Sequence, residues 1–380
     1  MAQAGQSLLY VCRSCRQSLR SASKASRSFS TTPNRHKVVP SFTPTSHGEL
    51  DQLLLAWREK VFIPAALPEH HRKLIYKPSR QQALSNDAGV KVTMSDDEEI
   101  TLQPRDPYDK PNVRESMKKM IGILSEQNED VVWNNLGPWL EGLQMSKQRL
   151  PHFFWQKITR KACEIGKERI ILACAEKSNK TGFSLKKQGV TFELMLGFHK
   201  RAADHGFAGP ELESAWQRAL KVTRILEDML HDGKQLKEHE VDPRMDPLVL
   251  SVLTELAAAK ALESGGNADQ VASYAARMLP IAQERDFTVQ LADGIKEDVR
   301  TRALYNAVLE SFLPMQNAIN LALKFDAIKK SDLGEKLSLH LRIVDQKVEN
   351  AVQKLRAVSD GRRRRGELMY EQLYEKDSGS

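Results

Sequence analysis

The side chains best suited to chemistry in this sequence are cations near the middle of the chain. Residues 143–205 contain 13 lysines and arginines and only 5 acidic residues. Such side chains neutralise the phosphates of a nucleic acid, and this contribution does not depend on base sequence. Lys157, Arg160 and Lys161 also share one helical face through their i, i+3, i+4 spacing. The candidate RNA-binding residues in this block are Lys157, Arg160, Lys161, Lys167, Arg169, Lys186, Lys187, Lys200 and Arg201.

Three aromatic residues, Phe153, Phe154 and Trp155, come directly before these cations. Aromatic side chains beside cations can stack on unpaired bases. Three successive large apolar side chains are rarely all exposed, so we predict that the aromatics belong to the core. A solvated helix face is the alternative interpretation of the lysines themselves, and the sequence leaves both interpretations open.

A second basic cluster follows the helix stop at Asp360-Gly361. An arginine run on a short linker has little structural purpose, and guanidinium groups bind phosphates well. We therefore add four residues to the candidate RNA contacts: Arg362, Arg363, Arg364 and Arg365.

Apolar residues recur with heptad spacing in the segment before this cluster. A helix with such a seam either lies along the chain's own bundle or forms a coiled coil with a partner. The pattern spans three heptads, which is the short limit of a coiled-coil signal. The candidate partner-binding residues are Leu337, Leu341, Val344, Val348 and Leu355.

Catalytic and metal-binding motifs are absent from the sequence, which has no GxxxxGK[ST], GxGxxG, HExxH or GxSxG. The close histidine pairs do not provide the three or four convergent ligands of a zinc site. Cys163 and Cys174 have apolar neighbours and are predicted to be buried thiols. We therefore expect no metal, no cofactor, no small-molecule substrate and no enzymatic activity.

The N-terminus has the composition of a targeting segment. Residues 1–36 contain six basic residues, and the first acidic residue is Glu49. An arginine- and serine-rich segment without acids is typical of an organellar transit peptide, and a basic tail that binds nucleic acid is the alternative. The segment around Arg27 and Phe29 resembles the presequence cleavage sites of filamentous fungi. That resemblance implies an octapeptide Phe29–His36, a mature chain beginning near Lys37, and the mitochondrial matrix as location.

Helical periodicity continues through most of the remaining chain, and β-type alternation is nearly absent. We predict an all-α fold, an antiparallel helical array or an irregular helical-repeat-like bundle. Residues 64–111 hold six prolines and are expected to form an extended arm, with a possible strand pair at 90–93 and 100–102. Pro314 is expected to split an apolar stretch at 303–323 into two helices, and no segment is expected to span a membrane. The predicted regions are the presequence (1–36), an N-terminal helix and extended arm (37–111), a helical body (112–330) and a long heptad-patterned helix with a basic tail (331–380).

These features together resemble the organelle-specific helical subunits of fungal mitochondrial ribosomes. The features that carry the resemblance are the fungal-type presequence, the proline-rich arm, the charge-segregated helical body and the arginine run. The resemblance implies a structural component of the mitochondrial ribosome that contacts ribosomal RNA and neighbouring ribosomal proteins and supports mitochondrial translation. The alternative is a matrix adaptor, either a respiratory-complex assembly factor or a translation activator, that binds protein partners through its helices.

Overall fold

The structure, a computed structural model, describes residues 38–85, 90–94, 98–187, 189–231, 242–284, 295–358 and 360–375. The predicted presequence, residues 1–36, lies outside the described residues. The described helices are α1 (Gly48–Trp57), α2 (Ile63–Ala66), α3 (Glu69–Tyr76), α4 (Pro78–Ser85), α5 (Val113–Glu126), α6 (Asp130–Asn134), α7 (Leu136–Met145), α8 (His152–Glu164), α9 (Glu168–Glu176), α10 (Ser178–Thr181), α11 (Val190–Asp204), α12 (Gly209–His231), α13 (Pro247–Ser264), α14 (Asp269–Glu284), α15 (Glu297–Ala322), α16 (Asp326–Lys329), α17 (Asp332–Ala357) and α18 (Arg365–Tyr374). The described strands are β1 (Lys91–Thr93) and β2 (Glu99–Thr101). A π-helical turn (Arg58–Phe62) joins α1 to α2, and a 3-10 turn (Pro243–Met245) precedes α13.

The described residues form two compact units. The helical unit contains residues 40–65 and 109–375, and the small unit contains residues 38–39 and 66–108. The prediction of an all-α fold is confirmed, since the regular structure of the described residues is helical except for two strands of three residues each. Within that same part of the chain, no helix is both long enough and apolar enough to cross a membrane.

Helix α13 is the centre of the helical unit. Every residue from Pro247 to Ala259 is buried, and the helix contacts α11, α12, α14 and α15. Its ends are encoded locally. Asp246 accepts a hydrogen bond from the Leu248 backbone N–H at 3.0 Å, Pro247 fills the first turn, and Gly265 adopts φ 64° after the last turn. A helix that is apolar around its whole circumference must be surrounded by other helices.

A buried polar cluster links three of these helices. His199 Nδ1 of α11 lies 2.7 Å from Glu255 Oε2 of α13, and Asn317 of α15 donates to Glu255 Oε1 at 2.7 Å. The side chains of His199 and Glu255 are 1% and 0% exposed. Because a buried polar group without partners is costly, this cluster favours one arrangement of α11, α13 and α15.

The small unit corrects the expectation of an extended arm over residues 64–111. Pro68 caps α3 and Pro78 is the first residue of α4, so these prolines begin helices rather than exclude them. The strand pair is confirmed, with Val92 opposite Ile100 in antiparallel register. The buried apolar residues of this unit between 66 and 108 are Ala66, Leu67, Ile75, Leu84, Val92, Met94 and Leu102.

Pro314 does not split its segment, and this expectation was wrong. Helix α15 continues from Glu297 to Ala322 with Pro314 inside it. A proline within a helix costs about 3 kcal/mol because it removes a hydrogen bond and crowds the preceding turn. Residues 309–315 are all buried, and α15 packs against both α13 and α17, so tertiary burial outweighs this local cost.

The heptad seam lies on α17 and faces the chain's own helices. Leu337, Val344, Val348 and Leu355 are at most 1% exposed, Leu341 is half-buried, and α17 packs along α15. The assignment of these five residues to a partner-binding surface is therefore corrected. Apolar side chains that the bundle already buries are not available to a coiled-coil partner, and the alternative of a long helix laid along the bundle is the observed one.

Candidate nucleic-acid interface

Helix α8 is amphipathic, with most of its aromatic residues on the buried side and its basic residues on the outer side. Phe154, Ile158 and Ala162 are fully buried, and Trp155 is 7% exposed. Phe153 is the exception to the predicted aromatic core, since it is 51% exposed. Lys157 follows Phe153 by one helical turn and is also exposed. We call Phe153, Lys157 and Arg160 the α8 outer face.

The cations of the basic block differ in whether this chain already neutralises them. Lys157, Arg160 and Lys200 make no ion pair with any other described residue. The same holds for the side chain of Arg362, which is exposed between α17 and α18. No acid among the described residues competes with an external anion for these four side chains.

Three other cations of the block pair with acids on the protein surface. Lys161 Nζ lies 2.7 Å from Glu164, and Lys167 Nζ lies 2.7 Å from Asp130. Arg169 approaches Asp130 at 3.5 Å. The hydrogen bond from Lys167 lowers the pKa of Asp130, so that carboxylate stays charged and competes with phosphate for Lys167.

Arg201 is a structural residue, which corrects its assignment as an RNA contact. Its two terminal nitrogens bind Glu168 at 2.9 Å and Glu211 at 2.8 Å. Arg218 also reaches Glu168, whose side chain is only 1% exposed. A buried carboxylate requires such partners, so Arg201 is committed to joining α9 to α12.

Lys186 and Lys187 lie in the loop between α10 and α11. Burial raises the pKa of Asp242, but hydrogen bonds from Arg244 outweigh burial and lower it, and the charge of Lys186 adds a smaller lowering effect. Lys187 Nζ donates to the Gly182 carbonyl at 2.6 Å and lies 3.1 Å from the centre of the Trp155 ring. Burial lowers the pKa of Lys187 to about 7. Among the described lysines and arginines of the basic block, Lys187 is therefore the one whose pKa is lowered.

The arginine run does not act as one patch. Arg363 pairs with Glu371 at 2.8 Å, and Arg364 pairs with Asp360 at 2.7 Å. Arg365 faces inward, which corrects its assignment as an RNA contact. Its guanidinium binds Glu310 through two nitrogens, at 2.9 and 2.8 Å, and Glu193 through the third, at 2.6 Å.

The contacts of Arg365 attach the C-terminal helix to the helical unit. Burial opposes its charge, but hydrogen bonds to Glu310 and Glu193 outweigh burial and raise the pKa of Arg365. Gln156 donates to the other oxygen of Glu193 at 3.0 Å, and Asn306 donates to Glu310 at 2.8 Å. We call this cluster the Arg365 clamp. Sequence reasoning missed both carboxylates, because Glu193 is 172 positions from Arg365 along the chain.

The geometry therefore reduces thirteen candidate cations to a smaller set that can meet phosphate. Phe153, Lys157 and Arg160 give one helix face with an aromatic ring and two unneutralised charges. Arginine and lysine position a nucleic-acid backbone, and an exposed aromatic ring stacks on a base. The described residues contain no group of three or more His, Cys, Asp or Glu side chains that could hold a metal ion.

Comparison with known proteins gives two results. The chain matches the family described as mitochondrial ribosomal protein mS27 over residues 27–372. It is also 29% identical over 315 residues to the small ribosomal subunit protein mS27 of Neurospora crassa, covering 78% of this chain and 77% of that protein.

Proposed function

Because the chain belongs to the mitochondrial ribosomal protein mS27 family, we propose that it binds RNA in the small subunit of the mitochondrial ribosome through the α8 outer face. The chain is a structural component of the mitochondrial ribosome in the matrix and serves mitochondrial translation. The small subunit is the particle named for the Neurospora relative. The alternative of a matrix adaptor is not favoured by this family.

The observation that carries the proposal is the pairing pattern on α8 and its neighbours. Lys157 and Arg160 have no acidic partner among the described residues, whereas Lys161 and Lys167, which follow them in the sequence, each form an ion pair. Phe153 remains 51% exposed beside them. Two cations without an ion-pair partner beside one exposed aromatic ring suit a phosphate backbone with an adjacent unstacked base.

The expected strength of this contact can be estimated from counterion release. Each phosphate that a lysine or arginine neutralises contributes about 0.7–0.9 to the slope of log K against log salt concentration. Loss of Lys157 and Arg160 should therefore reduce that slope by about 1.4–1.8. The effect should grow as salt decreases, because counterion release favours binding most strongly at low salt.

The test is sedimentation of mitochondrial lysate from cells in which a variant replaces the natural chain. We expect the wild-type chain to migrate with the small subunit, and K157Q/R160Q to leave it at a lower salt concentration. The matched control is K161Q/K167Q, which removes the same net charge from cations that already have acidic partners. Equal salt dependence of the two double variants would refute the α8 outer face as the RNA contact. Migration of the wild-type chain away from ribosomes at low salt would refute the ribosomal assignment itself.

The region boundaries remain part of the proposal. We propose that residues 1–36 are removed on import. The mature chain then consists of the N-terminal region at 37–111, the helical body at 112–330 and the C-terminal region at 331–380. Mass spectrometry of the N-terminal peptide of the mature protein tests the first boundary. The expected first residue is Lys37, and an intact Met1 or a cut beyond residue 40 would contradict it.

A further inference from the structure

A small cavity at the start of α8 is lined by basic side chains. It has a volume of about 250 Å³ and lies between α7, the start of α8 and the loop before α11. Its ionisable lining residues are Arg149, His152 and Lys187, and no carboxylate lines it among the described residues. Clustered cations without a compensating acid favour an anionic ligand.

The floor of the same cavity is apolar. Leu140 and Leu143 are buried beneath it, and Leu150 and Trp155 supply the apolar side chains that keep some accessible surface. An apolar floor with a few polar groups at the rim is typical of a pocket for a flat organic group that carries charge at one end. The volume is below the range for drug-sized ligands, so the cavity can enclose a single ring such as a pyrimidine base while the attached sugar and phosphate stay at its rim.

Lys187 is held at the rim in a fixed position. One N–H of its ammonium group is used by the Gly182 carbonyl, and the Trp155 ring lies against the nitrogen. An ammonium group has three donors, so a donor remains for a ligand in the cavity. The first N–H groups of α8, at His152 and Phe153, also have no partner within the helix and add positive potential at the same end.

A second, larger cavity shows that this charge pattern is not general. That cavity has a volume of about 520 Å³ and includes Glu141 together with Arg169 and Lys177. Because acid and base face the same space there, an anion gains less from it. Only the smaller of these two cavities combines cations alone with an apolar floor.

We propose that the smaller cavity seats one unpaired nucleotide of ribosomal RNA, with its phosphate at the rim beside Arg149, His152 and Lys187 and its base against Leu150 and Trp155. This inference rests on the proposed function, since it assumes that RNA reaches α8. It adds a specific nucleotide site to the sequence-independent contacts of the α8 outer face. We call it the Lys187 cavity.

Binding in the Lys187 cavity should take up a proton. Lys187 has a pKa of about 7 in the free protein because it is buried, so it is mostly neutral above that pH. A phosphate placed beside it favours the charged ammonium and raises its pKa. The other charged or titratable groups that face the cavity are Arg149, which does not titrate, and His152. The facing residues of α7 and α10 include Gln144 and Thr181, which are uncharged.

The experiment measures binding of fluorescently labelled hexauridylate to the full chain by anisotropy at constant salt. This RNA has no titrating group between pH 6.5 and 8.5, because phosphodiesters stay ionised there. We expect Lys187→Met to weaken binding at least tenfold at pH 6.5. Lys180→Met is the matched control, since Lys180 is an exposed lysine of α10 that does not line the cavity. It should change the affinity less than twofold.

Measuring the affinity at several pH values distinguishes a phosphate bound at Lys187 from non-specific electrostatic attraction. For a pKa of about 7, the protonated fraction of Lys187 falls by about 25-fold from pH 6.5 to 8.5, which sets the largest expected loss of affinity for the wild-type chain. Lys187→Arg, which cannot lose its proton, should bind with an affinity that is nearly constant over this range. His152→Gln removes the other titratable side chain that faces the cavity, so a pH dependence that persists in this variant is carried by Lys187.

Competition identifies the ligand, and uridine monophosphate should displace hexauridylate better than uridine or inorganic phosphate does. Equal displacement by inorganic phosphate would overturn the nucleotide site and leave an anion site only. Unchanged affinity and pH dependence in both Lys187 variants would overturn the Lys187 cavity as well. If the Lys187 variants were unchanged but K157Q/R160Q still dissociated from the small subunit at a lower salt concentration than the wild-type chain, the proposed function would stand without the cavity. Failure of the wild-type chain to bind hexauridylate would also reject the cavity, whatever the sedimentation result.

Discussion

Arg365 provides the sharpest test of how this chain uses its arginine run. Its guanidinium makes three short contacts to Glu193 and Glu310, whose side chains are 1% and 10% exposed. Lys or Met at this position cannot reproduce a fork that binds two carboxylates at once. We therefore expect Arg365→Met to leave two buried carboxylates facing each other, with only Gln156 and Asn306 as remaining donors.

The magnitude follows from the burial of the cluster. Removal of one partner from a buried ion pair costs about 3–5 kcal/mol of unfolding free energy, because the remaining charge stays desolvated. At about 2 °C per kcal/mol for a large domain, the Tm should fall by about 6–10 °C. Arg363→Met should cost at most about 1 kcal/mol, since Arg363 is 70% exposed and its pair with Glu371 is a surface pair. Arg362→Met should change the Tm by less than about 1 °C because its side chain has no ion-pair partner in the described chain.

Two measurements together test the Arg365 clamp. Thermal unfolding followed by circular dichroism gives the Tm of each variant, and hydrogen exchange of peptides from α18 shows whether that helix separates before the rest unfolds. The triple variant R365M/E193Q/E310Q should recover more than half of the loss, since it removes the two charges that R365M leaves unpaired. A Tm for R365M equal to that of R362M, with unchanged exchange in α18, would refute the clamp.

Three further predictions concern the core, a close helix contact and a pH effect. Leu337→Ala should lower the free energy of unfolding by about 2–5 kcal/mol, because Leu337 is buried. Leu339→Ala, on the exposed side of the same helix, should lower it by less than about 0.5 kcal/mol. Urea unfolding of the two variants measures the difference, and equal losses would contradict the observed orientation of α17. Gly142→Ala should cost about 1–3 kcal/mol because a Cβ there would overlap the Phe62 ring, and an unchanged Tm would contradict this packing. Lys187→Met should raise the Tm more at pH 6 than at pH 9. The folded chain disfavours charged Lys187, so the cost is complete below pH 7 and declines as pH rises towards 10.5; a Tm gain independent of pH would contradict the lowered pKa.

The elements that the sequence predicted well are those whose evidence is local. Helix α13 has an aspartate cap, a first-turn proline and a terminal glycine in its own sequence, and it begins and ends where those residues lie. The stripe of α5, from Met117 to Leu124, is likewise buried as its spacing predicts. For such segments the side-chain pattern and the backbone signals agree, so no tertiary information was needed.

The proline-based predictions failed for one shared reason. A proline excludes the helix interior but suits the first turn, and a sequence alone does not say which position it will occupy. Pro78 opens α4, and Pro314 is held inside α15 by burial on both sides. Both outcomes depend on what packs against the segment, which local spacing does not contain.

The candidate site shows the same limit for charges. Spacing placed Lys157, Arg160 and Lys161 on one face of a helix, because a helix repeats every 3.6 residues, and α8 contains all three. Nothing in the spacing distinguished Arg365 from Arg362, although one is enclosed by two carboxylates and the other is exposed. The distinction is made by Glu193 and Glu310, which reach Arg365 only after α11 and α15 have packed together.

Charge counts along a sequence therefore overestimate the surface available to RNA, and the excess has a physical use. A basic block of 13 residues against 5 acids suggests a broad phosphate-binding surface. In the folded chain Arg201 and Arg365 instead neutralise acids that the core has buried, and Lys187 is partly withdrawn into a cavity. In the proposed interface, the cations left for RNA are Lys157 and Arg160 on α8, together with Lys187 at the rim of its cavity. We expect this small set to position an RNA backbone more narrowly than a diffuse patch would. This predicts that single substitutions on the α8 outer face should matter more for binding than the net charge of the block.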